Sequence, residues 1–192
     1  MPDIEALLAD IGIMAQVPTE MREFTEWLKD RDIKSVLEIG VFKGGTCACW
    51  KGLFPDAYVL GIDIGTGSDY LVRDGSLFGL QKRYGFELML GSNSRLPETF
   101  GKVKDKRFDF IFIDGNHSYE AVKSDYEMYR PLVREKGIMV FHDIKDTEFQ
   151  RMHGCFVGVF WDDLKSGVFG DHSVKEFIDP DEDWGGIGVV FI

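Results

Sequence analysis

Asp114, His117, His142 and Asp143 are the residues whose types and spacing could do chemistry together. They lie in two short stretches, DGNHSYE at 114–120 and HD at 142–143, and each follows an apolar run, FDFIFI or GIMVF. An aspartate offers hard oxygen ligands, and an imidazole can bind a metal or exchange a proton near neutral pH. A third stretch, VLEIGVFKGGT, sets Gly40, Gly44 and Gly45 behind Glu38. Glycines in such a turn let the backbone approach a ligand closely and bring the free amides of a following helix to face it. A fourth run ends in Asp63.

These residues need a frame. Six short apolar runs, SVLEIG, AYVLGID, FELML, FDFIFID, GIMVFHD and GIGVVFI, alternate with helical segments. Near-continuous apolar strands are buried on both faces, as in a parallel sheet covered by helices. The clearest helix runs from Ser118 to Val133, with Val122, Tyr126, Tyr129 and Val133 on one face, Ser118 as its N-cap and Gly137 as the turn before the next strand. Ile4, Leu7, Leu8 and Ile11, then Met21, Phe24 and Leu28, predict two N-terminal helices. Gly65 to Gly79 reads as a loop with a short helix, and Asp143 to Gly154 as a mobile connection into a helix over Val157–Lys165. The alternation predicts a doubly wound α/β fold, with binding sites at the carboxyl ends of the strands.

The 192 residues are read as one domain, with 44% hydrophobic and 29% charged residues as in ordinary globular chains. A formal net charge of −11 without a basic patch argues against a nucleic-acid partner. The apolar stretches are too short to span a bilayer, and the acidic opening MPDIEALLAD is unlike a secretory signal, so a cytoplasmic location is expected. Cys47, Cys49 and Cys155 fit neither a disulfide framework nor a zinc spacing and are read as packing residues. Trp161 is likewise read as core, Asp179 to Asp183 as a solvated loop, and His153 and His172 without a role.

The glycine turn is neither the G-x-G-x-x-G of dinucleotide enzymes nor a P-loop. Asp63, one strand–helix–strand step later, can accept hydrogen bonds from ribose hydroxyls, which suits a nicotinamide cofactor or S-adenosylmethionine. At the far side of the site, Asp114 and Asp143 end neighbouring strands, so their carboxylates converge, with His117 and His142 close by. Uncompensated, the two charges repel, and a divalent cation is the simple remedy.

Glu38, Gly40 and Gly44 match the E-x-G-x-x-x-G pattern, and the chain resembles class I methyltransferases in it. The stretches IDGNHSYEAVKSDYEMY and KGIMVFHDI, with FVGVFWDDLKSG and GGIGVVFI, resemble one branch, methyltransferase family 24, the metal-dependent O-methyltransferases of the macrocin and mycinamicin type. The resemblance covers residues 33 to 192 and implies a Rossmann-like, mostly parallel seven-stranded sheet with helices on both faces. It implies that Glu38, Gly40, Gly44, Gly45, Asp63, Ser92 and Asn93 serve S-adenosyl-L-methionine, the last two beside the adenine. It also implies Asp114 and Asp143 as metal carboxylates and His117 as general base. Where the family has two adjacent acids, this chain has His142 and Asp143, so His142 joins the candidate ligands. Magnesium is the first expectation, while an imidazole ligand also suits manganese, iron or zinc.

The function expected is transfer of a methyl group to a hydroxyl of a small molecule or sugar. The alternatives are an NAD(P)-dependent oxidoreductase sharing Asp63, and an inactive adenosyl-cofactor-binding protein. Residues 1–31 leave a lid and a homodimer contact both open.

Overall fold

The computed structural model describes residues 3–65 and 75–192. Part of the Gly65 to Gly79 segment therefore lies outside the described residues. Five strands run parallel: β1 (Ser35–Ile39), β2 (Tyr58–Asp63), β3 (Glu87–Leu90) at one edge, β4 (Phe108–Ile113) and β5 (Val133–His142). Then β6 (Val174–Phe177) and β7 (Ile187–Phe191) complete a seven-stranded sheet of order β3-β2-β1-β4-β5-β7-β6, with β7 antiparallel to both neighbours.

Alternation along each strand builds the two cores. Val36, Phe110, Phe112, Ile138 and Val140 face one side, while Leu37, Ile39, Ile111, Ile113, Met139 and Phe141 face the other. The period of two in a pleated strand makes this division automatic. On the first side pack α1 (Ile4–Ile11), α2 (Pro18–Leu28), α3 (Gly45–Leu53) and α4 (Ser76–Tyr84). Phe24 of α2 sits at the centre, its ring 5.9 Å from Trp50, 6.0 Å from Phe110 and 5.5 Å from Phe177. On the second side lie α5 (Pro97–Gly101), α6 (Tyr119–Tyr129) and α8 (Val157–Lys165), where Tyr126, Phe160 and Trp161 fill the core. Trp161 is fully buried, as expected for packing, and its indole donates to Glu176 Oε1 at 2.5 Å.

The structure revises several expectations. The four-residue strand β6 went unread because only Phe177 of it is buried, so an apolar run is missing from an edge strand. Helix α6 ends at Tyr129, followed by a 3-10 turn over Arg130–Leu132, and β5 already begins at Val133. The turn expected at Gly137 is an irregularity inside β5, where pairing jumps from Phe108↔Val133 to Phe110↔Ile138 and Lys136 adopts φ 64°. Ser118 holds the N-cap position, yet its hydroxyl donates to Asn116 Oδ1 instead of capping. The connection after Asp143 contains a helix, α7 (Glu148–Met152), whose N-cap Thr147 accepts from the Gln150 amide. No described helix is long and apolar enough to cross a membrane.

Candidate active site

The turn after β1 forms because Gly40, at φ +88°, brings the backbone against β4: a Cβ there would lie 2.0 Å from the Asp114 carbonyl oxygen. This close approach, with Asp114 N donating to Ile39 O at 2.8 Å, sets the end of β4 beside the start of the turn. A crevice of about 560 Å³ opens there, lined by Gly40, Asp63, Ser92, Asn93, Asp114 and His117 among others. Asp63 shapes it as much as it lines it: Oδ2 accepts from the amides of Val41 at 2.8 Å and Phe42 at 3.1 Å, and Oδ1 from Gly65 at 2.7 Å. A carboxylate has about four acceptor sites, so one remains for a ribose hydroxyl. Ser92 and Asn93 reach the same wall, where the Ser92 amide is bound to Asp63 O and Asn93 Oδ1 accepts from Arg95 N.

Three residues expected at the cofactor, Glu38, Gly44 and Gly45, do not line this crevice. Glu38 is fully buried on the α3 side, accepting from Thr46 Oγ1 at 2.5 Å and Trp50 Nε1 at 2.6 Å. It lines no part of the crevice and instead braces the first turns of α3, because strand alternation turns position 38 away from the crevice. Burial, with a smaller push from Asp114, raises its carboxyl to about 8. Gly44 also lies off the crevice, against Leu77 and Phe86, while Gly45 begins α3 beneath the carbonyl of Ile13.

At the opposite wall the four candidate side chains come together. Asp114 Oδ1 lies 3.3 Å from both His117 Nε2 and His142 Nδ1. Asp143 Oδ2 lies 3.4 Å from His117 Nε2 and 3.3 Å from His142 Nδ1. The register explains the meeting: β4 and β5 are adjacent and parallel, with Ile113 opposite Phe141, so the residues that follow emerge together. The ligand atoms of Asp114, His142 and Asp143 all fall within 4.8 Å of one another. Nitrogen–oxygen edges of this length are what donors about 2.0–2.4 Å from a shared cation would show. The donor set of two carboxylates and up to two imidazoles fits a divalent cation.

The oxygens that face away from this focus are held by glutamines. Gln16 Nε2 donates to Asp114 Oδ2 at 2.7 Å, and Gln150 Nε2 donates to Asp143 Oδ1 at 3.1 Å. Both glutamines are buried. Neither was legible as a site residue, since each stands alone in the sequence without a motif. Cys155 Sγ also groups with His117 and Asp143, though burial pushes its thiol up to about 11 and keeps it neutral. Cys47, Cys49 and Cys155 are all buried and unbridged, as packing residues would be.

Electrostatics bind the cluster tightly. Burial works against ionisation of Asp114, yet the His142 and His117 imidazoles hold its carboxyl far below the usual carboxylate range. Asp143 is lowered in the same way, chiefly by His142. Burial would lower His142, but the two aspartates raise it to about 10, and the bond to Asp114 raises His117. A protonated His142 thus offsets charge on the two carboxylates when no other cation does. The two histidines differ in access, since the side chain of His117 is 42% exposed and that of His142 only 3%.

Glu20 of α2 supports the cluster from behind. It accepts from the amides of Asp179 at 3.1 Å and Gly186 at 2.8 Å. Gly186 and Gly185 in turn bind the Ile144 and Lys145 amides just past the site, and Lys145 Nζ reaches the Asp179 carbonyl. The acidic loop 179–183 is therefore tied to the site strand by its backbone. His153 and His172 stay outside the cluster.

A seven-stranded sheet of this order, with the glycine turn after β1 and the acid ending β2, defines the class I methyltransferase fold. The chain belongs to the methyltransferase domain family, methyltransferase family 24, which it matches over residues 37–144, more than half its length. Among curated relatives, the uncharacterized protein R132 of Acanthamoeba polyphaga mimivirus is 25% identical over 157 residues, covering 76% of this chain and 67% of that one. The uncharacterized protein y4gI of Sinorhizobium fredii is 31% identical over 67 residues, which are 35% of this chain and only 7% of that relative's length. The O-methyltransferase TomG of Streptomyces achromogenes, solved with SAM, superposes with a TM-score of 0.67 at 15% identity, over 100% of this chain and 90% of that one. MycE, a methyltransferase of the mycinamycin biosynthetic pathway solved with Mg and SAH, gives 0.62 at 20% identity, over 98% of this chain and 54% of that one. At these identities the likeness is one of fold.

Proposed function

We propose that this chain is an S-adenosylmethionine-dependent O-methyltransferase, assisted by a divalent cation, that acts on a hydroxyl of a small molecule or sugar. The observation that carries this reading is the meeting of Asp114 and Asp143, 29 positions apart in the chain, with His117 and His142 at one end of a crevice that begins at the glycine turn. Family membership, the SAM bound to TomG, and the Mg and SAH bound to MycE support it. The cofactor's adenosine would lie along Asp63, Ser92 and Asn93, with its sulfonium toward Asp114.

Asp114, His142 and Asp143 would hold the cation, magnesium or a transition metal, which when bound supplies Lewis-acid polarisation of the acceptor hydroxyl. Gln16 and Gln150 keep one oxygen of each aspartate aimed at the focus. His117 is the site imidazole open to an incoming molecule, and its Nε2 takes the hydroxyl proton as general base. The rest of the rate gain is alignment of hydroxyl and methyl group by the crevice walls. The chain acts as a single unit over residues 1–192 in this reading.

Thermal shift with S-adenosylmethionine, S-adenosylhomocysteine and NADH, each with and without magnesium or manganese, tests it, because a ligand stabilises the fold that binds it. Stabilisation by the sulfur compounds is expected; stabilisation by NADH alone would establish an oxidoreductase instead. With a methyl-labelled cofactor and an acceptor panel, Asp114→Asn should lose transfer by two or more orders of magnitude (~10²-fold) while still binding S-adenosylhomocysteine. A folded Asp114→Asn protein that transfers as fast as the parent removes the metal-assisted mechanism. Cofactor binding with no transfer to any acceptor would favour the inactive binding protein.

A further inference from the structure

Cys155 is fixed by backbone on both sides. Helix α7 ends at Met152, Gly154 turns the chain at φ +74°, and the Cys155 amide closes back on Gln150 O at 2.9 Å. The next residue, Phe156, donates its amide to His117 O at 2.8 Å, which ties this turn to the stretch after β4. The Val157 amide, at the start of α8, donates to the Cys155 sulfur. Cys155 as a whole is 6% exposed.

The sulfur, a ring nitrogen of His117 and a carboxylate oxygen of Asp143 lie within 4.8 Å of one another. This triad shares only Asp143 with the triad of Asp114, His142 and Asp143. Asp143 Oδ2 and His117 Nε2 are 3.4 Å apart, the separation of two ligands about 2.0–2.1 Å from one tetrahedral ion. A bond to sulfur is longer, about 2.3 Å, so its edges are longer too. His117, whose side chain is 42% exposed, can swing to close the remainder.

The two triads differ in chemistry. Two carboxylates and an imidazole accept magnesium or manganese, whereas a thiolate in place of one carboxylate selects softer ions such as zinc. Three protein ligands with a fourth position open is a common arrangement for zinc. Binding there exchanges the thiol proton for the metal, the proton leaving to solvent. The Val157 amide at the helix start then faces a sulfur anion, the charge a helix N-terminus favours.

We propose that His117, Asp143 and Cys155 form a second cation position, selective for zinc and similar thiophilic divalent ions and joined through Asp143 to the position formed by Asp114, His142 and Asp143. A cation held there also engages His117, and so withdraws the imidazole that takes the acceptor's proton. That consequence, unlike the binding itself, rests on the methyl-transfer reading above.

Cobalt(II), a spectroscopic stand-in for zinc, tests the proposal without turnover. Titrated into the parent protein, it should give the intense near-ultraviolet charge-transfer absorption of a thiolate ligand, and zinc should abolish that absorption by displacement. Cys155→Ser should lose the absorption although Cys47 and Cys49 remain. The same variant should bind zinc more than about a hundredfold less tightly, beyond the usual cost of losing an outer-shell contact. Asp114→Asn, which alters only the first triad, should keep the absorption. A parent protein without it overturns the proposal, and that measurement needs no variant to fold. Absorption that persists in Cys155→Ser, or that vanishes from folded Asp114→Asn and so places the sulfur on the first position, overturns it as well. A parent that shows the thiolate absorption yet binds no S-adenosylhomocysteine upholds the cation position and fails the methyltransferase reading, so the two failures are separable.

Discussion

Burial raises the Glu38 carboxyl to about 8, so the folded chain holds a proton there that an unfolded chain releases above its ordinary value of 4.5. The folded state therefore binds more protons than the unfolded state between those values, and stability falls as pH rises through that window. Denaturant melts at pH 5 and pH 8 should show the parent losing a few kcal/mol more across the interval (~2–4 kcal/mol) than Glu38→Gln, which has no proton to release. The two glutamines behind the aspartates give a second expectation. Gln150→Leu should weaken manganese or magnesium binding, read by calorimetry, by about ten- to a hundredfold, the usual effect of removing a group that orients a ligand. Asp114 and Asp143 could be read from local stretches because each directly follows a strand that announces itself as an apolar run, and His117 because it lies three residues after Asp114 in the same stretch. Gln16 and Gln150 could not be found that way. Their roles are set by tertiary contacts, at a separation of 98 residues for the first, and nothing in a lone glutamine reveals its partner. Glu38 was legible as a motif acid, but the pleat of β1 decides which way it points, and that sends it to Thr46 and Trp50.

The elements carry the site through contacts that tolerate no extra atom. Gly40 combines φ +88° with a Cβ position 2.0 Å from the Asp114 carbonyl, so Gly40→Ala must push the turn away from the end of β4. A loss of at least ~2 kcal/mol in a denaturant melt is expected, together with loss of cofactor binding. Gly79 makes the opposite case: it lies inside α4 with nothing within 4 Å of a Cβ, and Gly79→Ala should stabilise by about 0.5–1 kcal/mol. The parallel strands β1, β2, β4 and β5 were readable because both of their faces are covered, which demands apolar runs. Strand β6 was not, since it forms the sheet's edge and exposes Lys175 and Glu176. The five-residue helix α7 was missed for a related reason, as only Gln150 of it is buried and no apolar period exists to be seen.

Across the whole molecule the N-terminal helices are part of the first core. Phe24 touches rings from α3, β4 and β6 at once, and Phe24→Ala should lower stability by about 3–5 kcal/mol in the same melts. Glu20 on the same helix ties the loop ahead of β7 to the backbone just past Asp143. Helical spacing made these helices legible, while their reach into the site was not, because the linking stretch 12–17 has no period of its own. The antiparallel insertion of β7 between β5 and β6 has a bearing on biogenesis. A ribosome releases β6 before β7, yet β6 has no berth until β7 has docked, so the order of emergence and the order of assembly are reversed at this border. Until that last hairpin closes, β5 presents an unpaired rim to the cell, and a chaperone would find its hold there.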